Sequence, residues 1–150
     1  MKRVIGRREK ISLPEWGISG ISGKVDTGAY TSSIHSVFSE MVEVDGNRRL
    51  RFTVLDPKNP KYTGKILETE HFSVKSVKNS FGQAENRYHV LTTIELFGEK
   101  FEAAFTLSDR SKMRNQVLLG RKLLRGRFVV DVDLINQSLK ALKTSQNKNQ

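Results

Sequence analysis

Alternating apolar and polar positions dominate the middle of the chain. Every second residue from 88 to 96 is aliphatic, Tyr or Thr, and the alternation resumes over residues 100–107 after the turn Phe97-Gly98-Glu99. A period of two places successive side chains on opposite faces of a β-strand. The two segments therefore predict a β-hairpin with one buried face.

Shorter segments continue this pattern, whereas helical periodicity is scarce. Residues 51–55, 71–77 and 128–132 are typical of strands, and the best helical candidate is residues 121–124, which end before Gly126. We therefore expect an all-β fold, a small barrel or sandwich with one short helix near the C-terminus.

The chain length suits one folded domain, but the last residues differ in composition from the rest. With 150 residues the chain is long enough to bury a core of its own. From residue 136 onward the sequence turns polar. We expect a folded domain over residues 1–135 and a polar tail over residues 136–150, either a frayed helix or a disordered segment.

Charge and cysteine content restrict the partners and the compartment. The formal net charge is +10, and three of the lysines, Lys140, Lys143 and Lys148, belong to the polar tail. A basic balance favours acidic partners, although solubility alone explains it equally well. Nucleic acid is not favoured, because no dense block of Lys and Arg with interleaved aromatics occurs. Since the chain has no Cys, no signal-peptide pattern and no apolar run of about 18 residues, we expect a cytoplasmic protein without a membrane span.

One stretch, GKVDTGAYTSSIH at residues 23–35, carries candidate chemistry. A carboxylate that activates water has to be aimed, partly desolvated and hydrogen-bonded. Asp26 follows an apolar strand end, Thr27 offers a hydroxyl to the loop, and Gly28 lets backbone N–H groups approach the carboxylate. Taken alone, the tripeptide is explained more simply by an ordinary Asx-type turn.

A second stretch changes this interpretation. Residues 117–124, VLLGRKLL, run from an apolar strand through Gly120-Arg121 into the short helix. An early Asp-Thr-Gly-Ala loop and a late apolar-apolar-Gly-Arg corner resemble the paired signature of retroviral-type aspartic proteases, in which the apolar strand passes beside the aspartate loop. Alone, the second stretch fits an ordinary strand-to-helix corner with a surface arginine.

Further short motifs between residues 6 and 131 extend the pattern. They are Gly6-Arg7-Arg8-Glu9, Leu13-Pro14-Glu15, residues 24–29 with Thr31-Ser32 and His35, residues 77–82 with Glu85 and Arg87, Asp109-Arg110-Ser111 with Met113, residues 118–121, and Val130-Asp131. Together they resemble a bacterial retropepsin-like family, RimB-like and often labelled "ATP-dependent zinc protease", whose members often accompany a RimK/LysX-type ribosomal-protein glutamate ligase. The chain departs at Tyr30, where the family often has Arg, and at Asn115-Gln116, which replace an apolar residue and a proline.

The resemblance implies a fold and a half-site. The fold would be a small closed barrel of the retropepsin-like acid-protease type. Asp26 would be the catalytic acid and base, with Thr27, Gly28 and Ala29 shaping its loop. Aspartic proteolysis needs two carboxylates, and this chain has one Asp-Thr-Gly. A C2 homodimer would therefore place Asp26 beside its symmetry mate, with no cofactor.

The resemblance also suggests an endopeptidase for acidic peptides, such as a glutamate tail on a ribosomal protein. Arg87, Arg110 and Arg121 are the candidate substrate contacts, although Arg121 fits a structural ion pair better. A flap over the cleft is expected at residues 44–54, with its turn at Asp45-Gly46-Asn47.

By analogy with retropepsins, the dimer interface is expected at residues 4–5 and 128–132. Two other functions stay open: a catalytically silent β-barrel that binds acidic peptide or RNA, and a metal-dependent hydrolase. The histidines are His35, His71 and His89, and neither HExxH nor a P-loop occurs, so local spacing supports no zinc or ATP site. A His-and-carboxylate site assembled in three dimensions stays open, but His35 is expected to bond to the loop that follows it.

Overall fold

The computed structural model describes residues 1–78 and 81–148; Asn79 and Ser80, which belong to one of the shared motifs, lie outside the described residues. Within this part of the chain, twelve strands, two α-helices and a 3₁₀ turn form. The strands are β1 (Arg3–Ile5), β2 (Arg8–Leu13), β3 (Ile18–Val25), β4 (Ser32–His35), β5 (Ser39–Val44), β6 (Asn47–Phe52), β7 (Leu67–Thr69), β8 (Phe72–Lys78), β9 (Ala84–Leu96), β10 (Glu99–Ser108), β11 (Val117–Leu119) and β12 (Phe128–Val130). The helices are α1 (Arg121–Leu124) and α2 (Gln137–Lys148), and the 3₁₀ turn is Pro14–Trp16.

Six of the strands close into a barrel. The ring runs β10-β4-β11-β3-β2-β9 and closes because β9 pairs with β10. The β10–β4 and β11–β3 contacts are parallel, and the other contacts of the ring are antiparallel. The strand β8 pairs with the first half of β9. The expected all-β closed barrel with a short helix after Gly120 is confirmed.

The predicted hairpin forms one wall of this barrel. Strands β9 and β10 pair over the expected alternation, with Val90, Ile94 and Phe105 fully buried. The connecting residues Phe97 and Gly98 have φ values of 55° and 75°. Two successive positive φ values make the mirror-image turn whose twist matches that of paired strands.

A second, smaller sheet contains strands β5, β6 and β7. The turn predicted at Asp45-Gly46 joins the first two strands, with φ values of 52° and 80°. Trp16 of the barrel packs edge-on against Phe52 of this sheet, with 5.5 Å between the ring centroids. This aromatic contact attaches the small sheet to the barrel core.

The two ends of the folded region meet in a parallel two-stranded sheet of β1 and β12. Val4 is 47% exposed and Val129 is 52% exposed, so the sheet keeps an apolar outer face. Both segments expected at a dimer interface therefore lie side by side in one chain, and the interface itself stays a prediction. Directly after β1, the backbone at Gly6 packs against the backbone of Leu134, where a Cβ at Gly6 would collide with the carbonyl oxygen.

The C-terminal segment, expected as a frayed helix or a disordered tail, forms helix α2. Its first turn is held by Glu9, a fully buried carboxylate. Glu9 accepts hydrogen bonds from the backbone N–H groups of Gly6 at 2.8 Å, Gln137 at 3.1 Å and Ser138 at 2.9 Å. Ser138 Oγ in turn accepts the N–H of Phe97 at the hairpin turn. The sequence did not indicate this packing, because the carboxylate that binds the helix lies about 130 positions earlier in the chain.

None of the described helices is long and apolar enough to span a membrane.

The corner after β11 is the tightest packing point near the Asp-Thr-Gly loop. A Cβ at Gly120 would lie 2.8 Å from the carbonyl carbon of Thr31 and 2.8 Å from the carbonyl oxygen of Tyr30. Both contacts are with backbone, which cannot swing away as a flexible side chain can. Only glycine therefore lets β11 pass into α1 directly behind the loop.

We expect Glu9→Gln to lower the free energy of unfolding by about 2–4 kcal/mol, because it replaces a carboxylate that accepts three backbone N–H groups in a buried site. Urea denaturation followed by circular dichroism measures the change. Glu43→Gln, on the exposed β5 strand, is the matched control and should unfold as wild type does. Equal stability of both variants would contradict the proposed anchoring of α2.

Gly120→Ala should destabilise the fold by about 1–3 kcal/mol, because the added methyl group has to displace the backbone of residues 30–31. Thermal unfolding reports the loss of stability. Limited proteolysis should show at the same time that the Asp26 loop becomes easier to cleave. A variant with wild-type stability and wild-type protection of this loop would show that the corner is not tightly packed.

Candidate active site

The Asp-Thr-Gly loop begins where β3 ends, at the rim of the barrel. The backbone N–H of Asp26 donates to the carbonyl of Leu119 at 2.9 Å, which fixes the start of the loop against β11. The N–H of Gly28 then donates to Asp26 Oδ1 at 2.9 Å. The carboxylate of Asp26 is half-buried and is held by a backbone donor, two of the three conditions for a carboxylate that activates water.

Helix α1 supports the loop from behind. The N–H groups of Arg121 and Lys122 donate to the carbonyls of Ala29 at 2.8 Å and Tyr30 at 2.9 Å. These are unpaired donors of the first helical turn, so the loop caps the helix with its own backbone. Gly28 and Ala29 both take part in these backbone hydrogen bonds, and their role in shaping a catalytic loop stays a prediction.

Arg121 contacts the loop differently from the ion pair that we expected. Its Nη1 donates to the carbonyl of Thr27 at 3.0 Å, and its guanidinium lies 5.7 Å from the ring centroid of Tyr30. Within residues 1–78 and 81–148, no carboxylate lies within ion-pair distance of this guanidinium. Tyr30 stands where the family often has Arg, and in this chain it packs on Arg121 instead.

The serines after the loop serve the barrel wall. Ser32 Oγ accepts the N–H of Gly120 at 3.0 Å, and Ser33 Oγ lies 2.9 Å from Ser108 Oγ. Both serines are buried. They join strand β4 to the Gly120 corner and to β10, so they hold the loop in place, and Ser33 also lines the cleft beside the loop.

A cleft of about 340 Å³ opens beside the Asp26 loop. It is lined by the loop residues that follow Asp26, from Gly28 to Thr31, and by Val77, Lys78 and Arg87, whereas Asp26 itself is not among its lining residues. Val77, Lys78 and Arg87 belong to the β8–β9 hairpin. None of the residues 44–54, where we expected a flap, lines the cleft. The β5–β6 hairpin exists with its predicted turn, but the strands that border this cavity come from elsewhere in the chain.

Two of the three candidate arginines meet in this cleft. Arg110 Nε donates to the carbonyl of Asn115 at 3.0 Å, and Arg87 pairs with Glu85 at 2.6 Å. Burial and, to a lesser extent, the positive charge of Arg87 lower the pKa of Arg110, whereas the carboxylate of Asp26 acts in the opposite direction. Because Arg87 is already paired with Glu85, Arg110 is the candidate arginine of this cleft that best suits an anionic ligand.

We expected His35 to bond to the loop that follows it, but its side chain belongs to a buried polar network of residues that are distant in sequence. His35 is fully buried; its Nδ1 accepts the backbone N–H of Arg110 at 2.8 Å, and its Nε2 lies 3.0 Å from Asp56 Oδ2. This close contact does not meet the angular criteria of a hydrogen bond, so we describe it as an electrostatic contact. Asp56 Oδ1 accepts the side-chain amide of Gln116 at 2.9 Å and the N–H of Lys58 at 2.9 Å.

The network holds Asp56 in its charged form. The hydrogen bond from Gln116 is the largest cause that lowers the pKa of Asp56, with further lowering by Lys58 and His35, although desolvation opposes them. The preceding residue, Leu55, is fully buried with a φ of 69°, a conformation that costs a branched residue energy. In the sequence, Gln116 was the residue that could have indicated this network, since an amide at a position where a proline was expected can bind a buried polar group such as Asp56.

Metal binding does not fit the side chains of the described residues. No group of three or more His, Asp or Glu side chains in this part of the chain is arranged to hold a metal ion. His71 is exposed on the β7–β8 turn, whereas His89 is buried and its pKa is lowered by burial and by Lys122 and Lys75. The zinc in the family label therefore has no ligand set here, and we derive no step through a metal.

The curated relatives are longer proteins. The chain is 34% identical over 130 residues to a probable alpha-L-glutamate ligase from Desulfotalea psychrophila and 32% identical over 130 residues to one from Shewanella pealeana. Each match covers 87% of this chain and 28% of the relative. The chain thus spans about 28% of the length of the curated relatives that it matches.

A solved structure and a family model agree on the fold. The structure of a Legionella pneumophila protein with unknown function (DUF785) superposes with a TM-score of 0.73 at 28% identity, covering 92% of this chain and 99% of that one. The family model for the retropepsin-like aspartic endopeptidase RimB matches residues 4–138, which include the Asp26 loop, the Gly120 corner and the start of α2. The chain therefore belongs to the RimB-like family of retropepsin-like aspartic endopeptidases.

Proposed function

We propose that this protein is an aspartic endopeptidase that works as a homodimer with one Asp26 from each chain. The observation that carries the proposal is the loop geometry: Asp26 is half-buried and held by the N–H of Gly28, and the next residues of its loop, 28–31, line an open cleft. Membership of a family of aspartic endopeptidases supports the same reaction. Thr27, Gly28 and Ala29 position the carboxylate and do not react.

The proposed mechanism uses two carboxylates that share one proton and one water. Two carboxyl groups about 3 Å apart cannot both be ionised. The ionised Asp26 of one chain therefore removes a proton from the water, while the protonated Asp26 of the other chain donates to the substrate carbonyl. The water oxygen attacks the carbonyl carbon, and the proton from the water passes to the leaving nitrogen when the tetrahedral intermediate collapses. The apparent pKa values of such a site belong to the pair.

The terminal sheet is the proposed dimer surface for this mechanism. Among the described residues, strands β1 and β12 pair only with each other, and Val4, Val129 and Val132 are 47%, 52% and 69% exposed. An apolar sheet edge is a template for pairing with a second chain, and a C2 axis makes such contacts reciprocal. Dimerisation through this sheet would complete the site.

Acidic peptides are the proposed substrates, with a glutamate tail on a ribosomal protein as the specific case. Arg87 and Arg110 line the cleft, and the chain carries a net charge of +10. The matched relatives are named as probable alpha-L-glutamate ligases, and the chain corresponds to 28% of their length. A peptidase joined to an enzyme that adds glutamate would meet glutamyl peptides as its nearest substrate.

Asp26→Asn should abolish cleavage of a poly-glutamate-tailed peptide, because an amide cannot act as base toward water. Product formation is followed by mass spectrometry of the peptide. Wild type treated with EDTA should cleave as untreated enzyme does. Asp133→Asn, an exposed position after β12, is the control for an unrelated loss of a carboxylate.

The outcomes of this experiment separate the other functions. Loss of cleavage with EDTA would contradict the aspartic mechanism and favour a metal-dependent hydrolase. Peptide binding without cleavage by any sample would leave a catalytically silent binding domain. Cleavage by Asp26→Asn at the wild-type rate would exclude Asp26 as the reacting group.

Mixing wild type with Asp26→Asn tests the shared site. If chains exchange freely, an equal amount of variant should reduce the activity of a fixed amount of wild type to about half, because half of the wild-type chains enter mixed dimers with one carboxylate. The rate is measured after incubation long enough for subunit exchange. An unchanged rate in mixtures that are shown by native mass spectrometry to contain mixed dimers would contradict the two-chain site.

A further inference from the structure

His35 lies at the centre of a closed circuit of buried polar contacts. Its backbone N–H donates to the carbonyl of Gln116 at 2.8 Å, and the Gln116 side chain donates to Asp56 Oδ1 at 2.9 Å. Asp56 Oδ2 returns to His35 Nε2 at 3.0 Å. His35 also accepts the N–H of Leu55 on its carbonyl at 2.6 Å. His35 is therefore held, through its backbone and its ring, by two segments of the chain that are distant from it in sequence.

The contacts select one tautomer of the imidazole. Nδ1 faces a backbone N–H, that of Arg110, and can accept it only if Nδ1 carries no proton. The proton of the neutral ring must then be on Nε2, where the carboxylate of Asp56 faces it. Proteins commonly place a carboxylate at one ring nitrogen of a histidine, which determines whether the other nitrogen donates or accepts a hydrogen bond.

His35 Nδ1 accepts the backbone N–H of Arg110 and so fixes the backbone position of that residue. The backbone of Arg110 is fixed by His35 Nδ1, and its side chain by the bond from Nε to the Asn115 carbonyl. This leaves the two terminal guanidinium nitrogens for the cleft, which Arg110 lines together with Arg87. Residues 28–31 of the Asp26 loop line the same cleft as Arg110, and the charge of Asp26 raises the pKa of Arg110.

We propose that His35 and Asp56 are positioning residues that hold Arg110 where it binds a carboxylate group of the substrate next to Asp26. The inference rests on the proposed function for its substrate, but the placement of Arg110 stands on the geometry alone. Asp56 keeps the imidazole proton on Nε2. The unprotonated Nδ1 of His35 then accepts the backbone N–H of Arg110, and the Arg110 side chain binds the ligand. Leu55, held at a φ of 69° beside this contact, keeps Asp56 under the imidazole.

Two carboxylates and one backbone donor surround the imidazole. Asp56 lies at Nε2, Asp109 Oδ1 lies 3.9 Å from Nδ1, and Arg110 presents its N–H to the same nitrogen. A tautomer with its proton on Nδ1 would remove the acceptor for the Arg110 N–H.

A double-mutant cycle tests whether Asp56 acts through Arg110. Asp56→Asn turns an amide NH₂ toward Nε2, which moves the imidazole proton to Nδ1 and opposes the Arg110 N–H. We expect KM for a glutamyl peptide to rise about tenfold, as for loss of a charge-assisted contact, with kcat changed much less. In an Arg110→Ala background the same substitution should have no further effect on KM. Additive effects in the double variant would overturn the inference.

Two substitutions of His35 separate its two ring nitrogens. In His35→Asn the amide oxygen occupies the place of Nδ1 and can accept the Arg110 N–H. In His35→Gln the amide nitrogen occupies the place of Nε2 and can only reach Asp56. KM should stay near the wild-type value in His35→Asn and rise about tenfold in His35→Gln. The reverse order would contradict the proposal, and His71→Gln, on the exposed turn, is the matched control.

Nuclear magnetic resonance keeps this test independent of catalysis. The ¹⁵N spectrum of the wild-type imidazoles should show His35 with an unprotonated Nδ1, and Asp56→Asn should move the proton to Nδ1 and shift the Arg110 amide. If these signals do not change, the inference fails even when the peptide is cleaved. If they change as expected but wild type neither binds nor cleaves glutamyl peptide, the proposed function fails and the positioning of Arg110 stands.

Discussion

The close approach of Gly120 to the backbone of residues 30–31 is the constraint on which the site depends. With 2.8 Å between a hypothetical Cβ and that backbone, any side chain at Gly120 would separate β11 and α1 from the Asp26 loop. The separation would break the bonds from the first turn of α1 to Ala29 and Tyr30. The Asp26 carboxylate is therefore aimed by backbone packing, which explains why a small barrel can hold it without a large supporting domain.

The fold could be predicted largely from local pattern. The alternation over residues 88–107 and the Phe97-Gly98 turn depend on near neighbours, so they specify the hairpin that becomes one wall of the barrel. The Asp-Thr-Gly loop and the Gly120 corner could be joined only through their resemblance to the paired signature of retroviral-type aspartic proteases, because each stretch alone fits an ordinary turn or corner. The sequence therefore indicated a half-site, although the partner of Asp26 depends on a second chain.

The features that the sequence did not reveal arise from contacts between distant segments. Glu9 anchors α2 through the N–H groups of Gln137 and Ser138, so a polar composition was compatible with a docked helix. His35 and Asp56 meet although the loop that carries Asp56 follows no regular pattern. In the same way, the cleft is lined by residues of strands β8 and β9 and not by residues 44–54. The order of the strands in the sheet decides which hairpin lies near the Asp26 loop, and this order cannot be read from a local pattern.

The central claim is that two chains share one catalytic site, and inhibitor stoichiometry tests it most directly. The probe is a glutamyl peptide in which a statine-type hydroxyl replaces the scissile carbonyl, since such an analogue binds only to a complete pair of carboxylates. Isothermal titration calorimetry should give one inhibitor for every two chains, with binding lost in Asp26→Asn. A stoichiometry of one inhibitor per chain, or unchanged binding by Asp26→Asn, would contradict the account.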